Sequence, residues 1–226
     1  MKFYSTGMIF GGVLLGLLFS FGTASFANTS CPAQFEKLIA KGFLSREDDH
    51  FKYYQLGGGF NGTVYRVESK SNGKEYVQKV FKAGLSSGLA NDVKGFALIE
   101  NFVKSEHAPM KVVKIIKQQD DRTLLLEYTK GLTLKDFMKN PNISAGSKEK
   151  ISHEYTQLLQ KFDHYVQKNT KVQERSFFDA FEPTEHQLSF ELEDKSLSEG
   201  YLLVYIHNEN IIINPETLEM TLIDPY

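Results

Sequence analysis

The run Gly57-Gly58-Gly59-Phe60-Asn61-Gly62-Thr63-Val64 restricts the fold of this chain more than any other segment. It fits the spacing G-x-G-x-x-G-x-V, and its flanks decide what that spacing means. Tyr54-Gln55-Leu56 leads in and Thr63–Val67 leads out, both with strand character. The turn Ser71-Asn72-Gly73-Lys74 then joins a further run, Glu75–Phe81. Asn-Gly between two such runs is a strong hairpin signal, so residues 53–81 read as three antiparallel strands. The same glycine spacing also marks turns from a strand into a helix, and strands on both sides argue against that use here. Without Cβ atoms, backbone N–H groups in a strand-turn-strand can close over phosphates. The alternative is a glycine-rich hairpin that holds no ligand.

Before this region, Lys2, an apolar core around Met8–Phe19 and the small residues Ser25 and Ala27 have the layout of a secretory signal peptide over residues 1–27, with an uncleaved anchor as the alternative. Cleavage places the protein in the periplasm or outside the cell, with no membrane segment afterwards. Cys31, the one cysteine, excludes an intramolecular disulfide framework. The net charge of -2, with no basic run, leaves no footprint for nucleic acid. Phe35, Leu38, Ile39 and Phe43 have helical spacing, so residues 28–52 are expected to be a helical extension.

Beyond the hairpins, 90–105 has helical spacing, and Lys111–Ile116 and Thr123–Tyr128 read as two more strands. Helices are expected at Leu134–Met138 and from about 148 to 167, the second burying Ile151, Tyr155, Leu158, Leu159, Phe162 and Val166. No element is assigned to the polar stretch 169–200. A closing hairpin runs from Asn210 to Asp224 through Asn214-Pro215-Glu216-Thr217. The expected class is α+β: a five-stranded antiparallel lobe (53–128), then a reduced, mostly helical lobe (129–226) with an insert at about 169–200.

Lys79 lies on the third strand among Val77, Val80 and Phe81. Glu100 falls with Val93, Phe96, Ala97 and Val103 on one stripe of the next helix. A carboxylate in an apolar stripe needs a cationic partner, and Lys79 is the one expected.

Gly57, Gly59, Gly62, Lys79 and Glu100 in this order resemble the protein kinase family, where such a lysine–glutamate pair holds ATP phosphates. Leu124–Leu134, containing Glu127, Thr129 and Gly131, resembles the kinase hinge. The resemblance implies that Glu127 and Thr129 meet adenine and that Val64, Val77 and Ile212 sandwich it. It also implies Mg²⁺ ligands at Asn210 and Asp224.

Departures accompany it. Tyr205 stands where the family has its catalytic Asp. His207 then stands three residues before the metal-binding Asn, where it would meet the γ-phosphate, and Glu209 is the nearest alternative carboxylate. A shifted register would instead take His207-Asn208-Glu209 as the catalytic triplet and Asn214 as the metal ligand. Asp224 is followed by Pro225-Tyr226 in place of Phe-Gly, with no activation segment, a layout resembling minimal effector kinases that bacteria deliver into host cells. The expected activity is transfer of phosphate from MgATP to a Ser/Thr hydroxyl of a protein, catalysed through Lys79, Glu100, His207 and Glu209. The alternatives are a pseudokinase that binds a partner protein and a small-molecule phosphotransferase.

Overall fold

In the computed structural model, residues 42–58, 61–83 and 86–225 are described. The expected signal peptide, Cys31 and Gly59 lie outside them. Alternating side chains and the Asn-Gly turn produce an antiparallel meander: β2 (Phe51–Gly58), β3 (Gly62–Ser69) and β4 (Glu75–Phe81). β6 (Ile115–Asp120) and β7 (Thr123–Glu127) extend it on the far side of β4.

A sixth strand, β1 (Phe43–Glu47), pairs with β2, where a helix was expected. The helical spacing there is overridden by cross-strand contacts. The Arg46 guanidinium lies 3.9 Å from the Tyr53 ring centre and donates to Gln78 Oε1 at 3.2 Å.

The expected strand at 111–116 also divides. β5 (Met110–Val112) pairs in parallel with β13 (Met220–Leu222) in a second sheet of order β5-β13-β12-β8, completed by β12 (Ile211–Ile213) and β8 (Leu132–Thr133).

The largest correction concerns the C-terminal half, which is not mostly helical. Among the described residues there are thirteen strands, three α-helices and sheets of six, four and three strands. The stretch left unassigned supplies most of the third sheet: β9 (Val172–Phe178), β10 (Gln187–Glu193) and β11 (Tyr201–Ile206). A five-stranded lobe followed by a helical lobe therefore does not describe this fold.

Helix α1 (Ser86–Ser105) joins two cores. Leu89 and Phe96 pack with Phe81, Leu124 and Leu126 of the six-stranded sheet, while Ile99 and Phe102 enter the larger core. Helix α2 (Leu134–Lys139) starts at Thr133, whose Oγ1 accepts from the Asp136 N–H at 3.0 Å. Helix α3 (Ala145–Asn169) is capped by Ser144 and buries the six residues its periodicity marks. It carries the third sheet through a Phe162–Phe190 edge contact at 5.8 Å and holds α1 through Phe102–Phe162 at 5.0 Å. Such ring pairs contribute about 0.5–1.5 kcal/mol each beyond the area they bury. Among the described residues no helix is long and apolar enough to cross a membrane.

Candidate functional site

A cavity of about 530 Å³ opens between the six-stranded sheet and the β5-β13-β12-β8 sheet. That volume suits a small-molecule or cofactor site. Its apolar walls come from both sheets: Leu56, Val64, Val77 and Leu126 on one side, Ile212 and Ile223 on the other. Glu127, Tyr128 and Thr129 of the connecting segment, and Thr133 and Asp136 at the start of α2, form one rim. The expected slot residues Val64, Val77, Glu127, Thr129 and Ile212 are thus brought together.

The glycines divide. Gly57 and Gly58 line the cavity, and a Cβ added at Gly57 would meet nothing within 4 Å, so a ligand can approach its backbone. Gly59 is outside the described residues. Gly62 does not line the cavity. A Cβ there would stand 2.2 Å from the Val80 carbonyl oxygen, so this glycine serves the close approach of β3 to β4.

Lys79 is buried at the floor, with its Nζ 2.6 Å from Asp92 Oδ2 and 2.8 Å from Asp224 Oδ2. The expected partner Glu100 is not there: its side chain is 42% exposed and pairs with Lys104 at 3.3 Å. Helix α1 is turned relative to the expected stripe and buries Leu89, Asp92, Phe96, Ile99 and Phe102, while Ala97 faces solvent. Asp92 lies one turn before Phe96. The rotation of the helix aims the Asp92 carboxylate inward. Glu100 is withdrawn as a site residue.

Two carboxylates share this one ammonium. Burial pushes Asp92 up to about 7, with Asp224 adding to the rise and Lys79 opposing it. Burial works against the Lys79 charge, but Asp224 and Asp92 outweigh it and hold the ammonium's pKa above its ordinary value. The Asp92–Lys79 contact is short but poorly aligned, and neither Asp92 oxygen has a hydrogen bond of good geometry.

Backbone pairing sets Asp224. The Ile223 N–H donates to the Asn210 carbonyl at 2.9 Å, and the Tyr205 N–H donates to the Pro225 carbonyl at 2.8 Å. Asn210, His207, Glu209 and Asp224 all line the cavity. The Glu209 N–H donates to His207 Nδ1 at 3.2 Å, which leaves the proton of a neutral imidazole on Nε2. Burial lowers the His207 pKa despite the opposing pull of Glu209 and Asp224. His207 is therefore placed to donate a hydrogen bond and not to take a proton. The Glu209 carboxylate is bonded to Lys135, which lowers its pKa. Tyr205 stacks at 4.7 Å on His207, and its hydroxyl donates to Gln187.

Among the described residues no cluster of three or more His, Cys, Asp or Glu side chains forms a metal site. Asn210 and Asp224 are hard oxygen donors that suit Mg²⁺ when phosphate oxygens and water complete its shell. Sequence reasoning missed Asp92, Leu56, Leu126, Asp136 and Ile223. No protein-family model matches the chain, and no curated protein is detectably similar to it.

Proposed function

We propose that the cavity binds MgATP and that the protein transfers its γ-phosphoryl group to a Ser/Thr hydroxyl of a protein acceptor. The observation that carries this reading is the buried Lys79 held between Asp92 and Asp224 at the floor, with open glycine backbone at Gly57 and an apolar slot beside it. An ammonium so placed meets the phosphates once a cation engages Asp224, and Asp92 then keeps it aimed. The motif order resembling the protein kinase family points the same way. Mg²⁺, bound through Asn210 and Asp224, supplies neutralisation of the phosphate charge.

In the transfer, the acceptor oxygen bonds to Pγ, the bridging Pγ–O bond breaks, ADP leaves, and the hydroxyl proton passes to water. His207 Nε2–H hydrogen-bonds a phosphoryl oxygen. Positioning and electrostatics supply the rate, and without a general base turnover is expected to be about 10²–10⁴-fold slower than with one. Export through residues 1–27 is part of this reading and rests on the sequence alone.

A second reading, nucleotide binding without transfer, is favoured by the engagement of Glu209 with Lys135 and of Tyr205 with Gln187. Thermal melting with ATP, with and without Mg²⁺, tests the binding step. Saturation at 100 times Kd stabilises by about 2.7 kcal/mol, a shift on the order of 5–10 °C for a chain of this size. Asp224→Asn should abolish the Mg²⁺ dependence. No shift with any nucleotide would remove both readings, and a shift without transfer of labelled phosphate to a Ser/Thr peptide library would leave the second.

A further inference from the structure

The outer face of the β9-β10-β11 sheet forms a groove of about 650 Å³. His207 lines this groove as well as the nucleotide cavity, and Asn61 of the glycine turn lines it too. The groove therefore adjoins the place where a γ-phosphate would stand. Strand alternation puts Leu188, Phe190 and Leu192 inside and Gln187, Ser189 and Glu191 outside.

Glu191 pairs directly across the strands with Glu174 of β9. Like charges at such a position oppose pairing. Neither carboxylate has an ion-pair partner among the described residues, and no Lys or Arg lines the groove. On the same strand, Arg175 points to the opposite face and holds Asp163 of α3 at 2.6 and 2.7 Å.

We infer that this sheet face is the acceptor-docking surface, and that its occupant is an extended segment of the acceptor protein carrying one Lys or Arg about four residues from the phosphorylated Ser/Thr. The inference rests on the phosphotransferase reading above. The charge follows from Glu174 and Glu191, whose side chains stand close enough to hold one cationic group between them. The offset follows from register. Glu191 pairs with Leu203, four residues before His207, which is about 13 Å along an extended chain. Ser176 and Ser189 offer hydrogen bonds to the segment, and Phe178, 59% exposed, offers an apolar wall.

Fluorescence anisotropy tests this with labelled peptides containing one Ser and one Lys placed two, four or six residues away, and with Glu replacing that Lys. Wild type is compared with a Glu174→Gln, Glu191→Gln double variant, whose fold is checked by circular dichroism. The expected result is tightest binding at an offset of four, about tenfold weaker with Glu in place of Lys, and about tenfold weaker in the double variant. ATP-induced stabilisation should be the same in both proteins.

Binding that ignores the charge and position of the basic residue, or that survives the double substitution, overturns the inference. So does a dimer in wild type that the double variant loses, because the face would then belong to a second copy. If nucleotides stabilise the protein while peptides fail to discriminate, this inference falls alone. If the peptide preference holds while no nucleotide binds, the phosphotransferase reading falls, and the face remains a docking surface for basic segments without the acceptor role.

Discussion

Replacing Asp92 by Asn should remove a pH-dependent part of the protein's stability and make it worse at holding nucleotide. In the folded protein burial pushes the Asp92 carboxyl up to about 7, against 3.8 for an unperturbed Asp. Between those values the folded state binds more protons than the unfolded one, so this residue's contribution to stability falls as pH rises from about 4 to about 7 and is level above that. At 1.36 kcal/mol per pH unit the loss is at most about 4 kcal/mol. Asn has the same shape and does not titrate. Only about two of those pH units lie inside the range pH 5 to pH 8, so the stability of Asp92→Asn minus that of wild type should shift in the variant's favour across it by at most about 2.7 kcal/mol, on the order of 5–10 °C in Tm.

Nucleotide affinity should move the other way, because Lys79 loses the carboxylate that steadies it when Asp224 turns to a cation. The assay is urea denaturation of both proteins at pH 5, 6, 7 and 8, with ATP-induced melting shifts at pH 7.5. Glu100→Gln is the control, since that exposed side chain pairs only at i,i+4 with Lys104, a contact worth about 0.3–0.5 kcal/mol. Parallel pH curves for wild type and Asp92→Asn, or a pH effect that follows Glu100 instead, would refute the reasoning.

The glycines should separate by role. Gly62→Ala places a methyl against the Val80 carbonyl and should lower Tm by several degrees, whereas Gly57→Ala should leave Tm within about 2 °C and weaken only ATP-induced stabilisation. Asn91→Ala removes both hydrogen bonds that its amide makes to the Leu203 backbone, at 2.9 and 2.8 Å, and should cost about 1–3 kcal/mol in urea denaturation.

Local signals sufficed where one short-range rule dominated. The Asn72-Gly73 turn and the flanking β-rich runs specified β3 and β4, and the 3.6-residue stripe of α3 named all six of its buried residues. They failed where long-range pairing decided. Phe43 closes an apolar series with helical spacing, but Phe43–Glu47 pairs with β2, and Met110–Val112 joins a strand more than a hundred residues away. The β10 alternation, Gln187-Leu188-Ser189-Phe190-Glu191-Leu192, was present in the sequence and was obscured by the polar residues around it. Asp92 and Glu100 are two turns apart with similar neighbours. The choice between them depended on α1 filling two cores at once, with Leu89 and Phe96 in one and Ile99 and Phe102 in the other.

That same helix links the parts of the candidate site. Asp92 contacts the cavity lysine, and Gly95 is so close to Pro225 that a Cβ would come within 2.9 Å of the proline Cβ. Asn91 grips β11 at Leu203, and Lys94 meets Asp194 just beyond β10 at 2.5 Å. Four positions within about one and a half turns thus touch the cavity lysine Lys79, the residue after Asp224, and the sheet whose outer face carries Glu174 and Glu191. A rigid helix cannot move at one of these contacts without disturbing the others. A segment docked on the third sheet would therefore bear on Lys79 through Asn91 and Asp92. The geometry of the site thus depends on a helix that packs against the β9-β10-β11 sheet, two of whose three strands lie in the stretch 169–200 to which the sequence assigns no element.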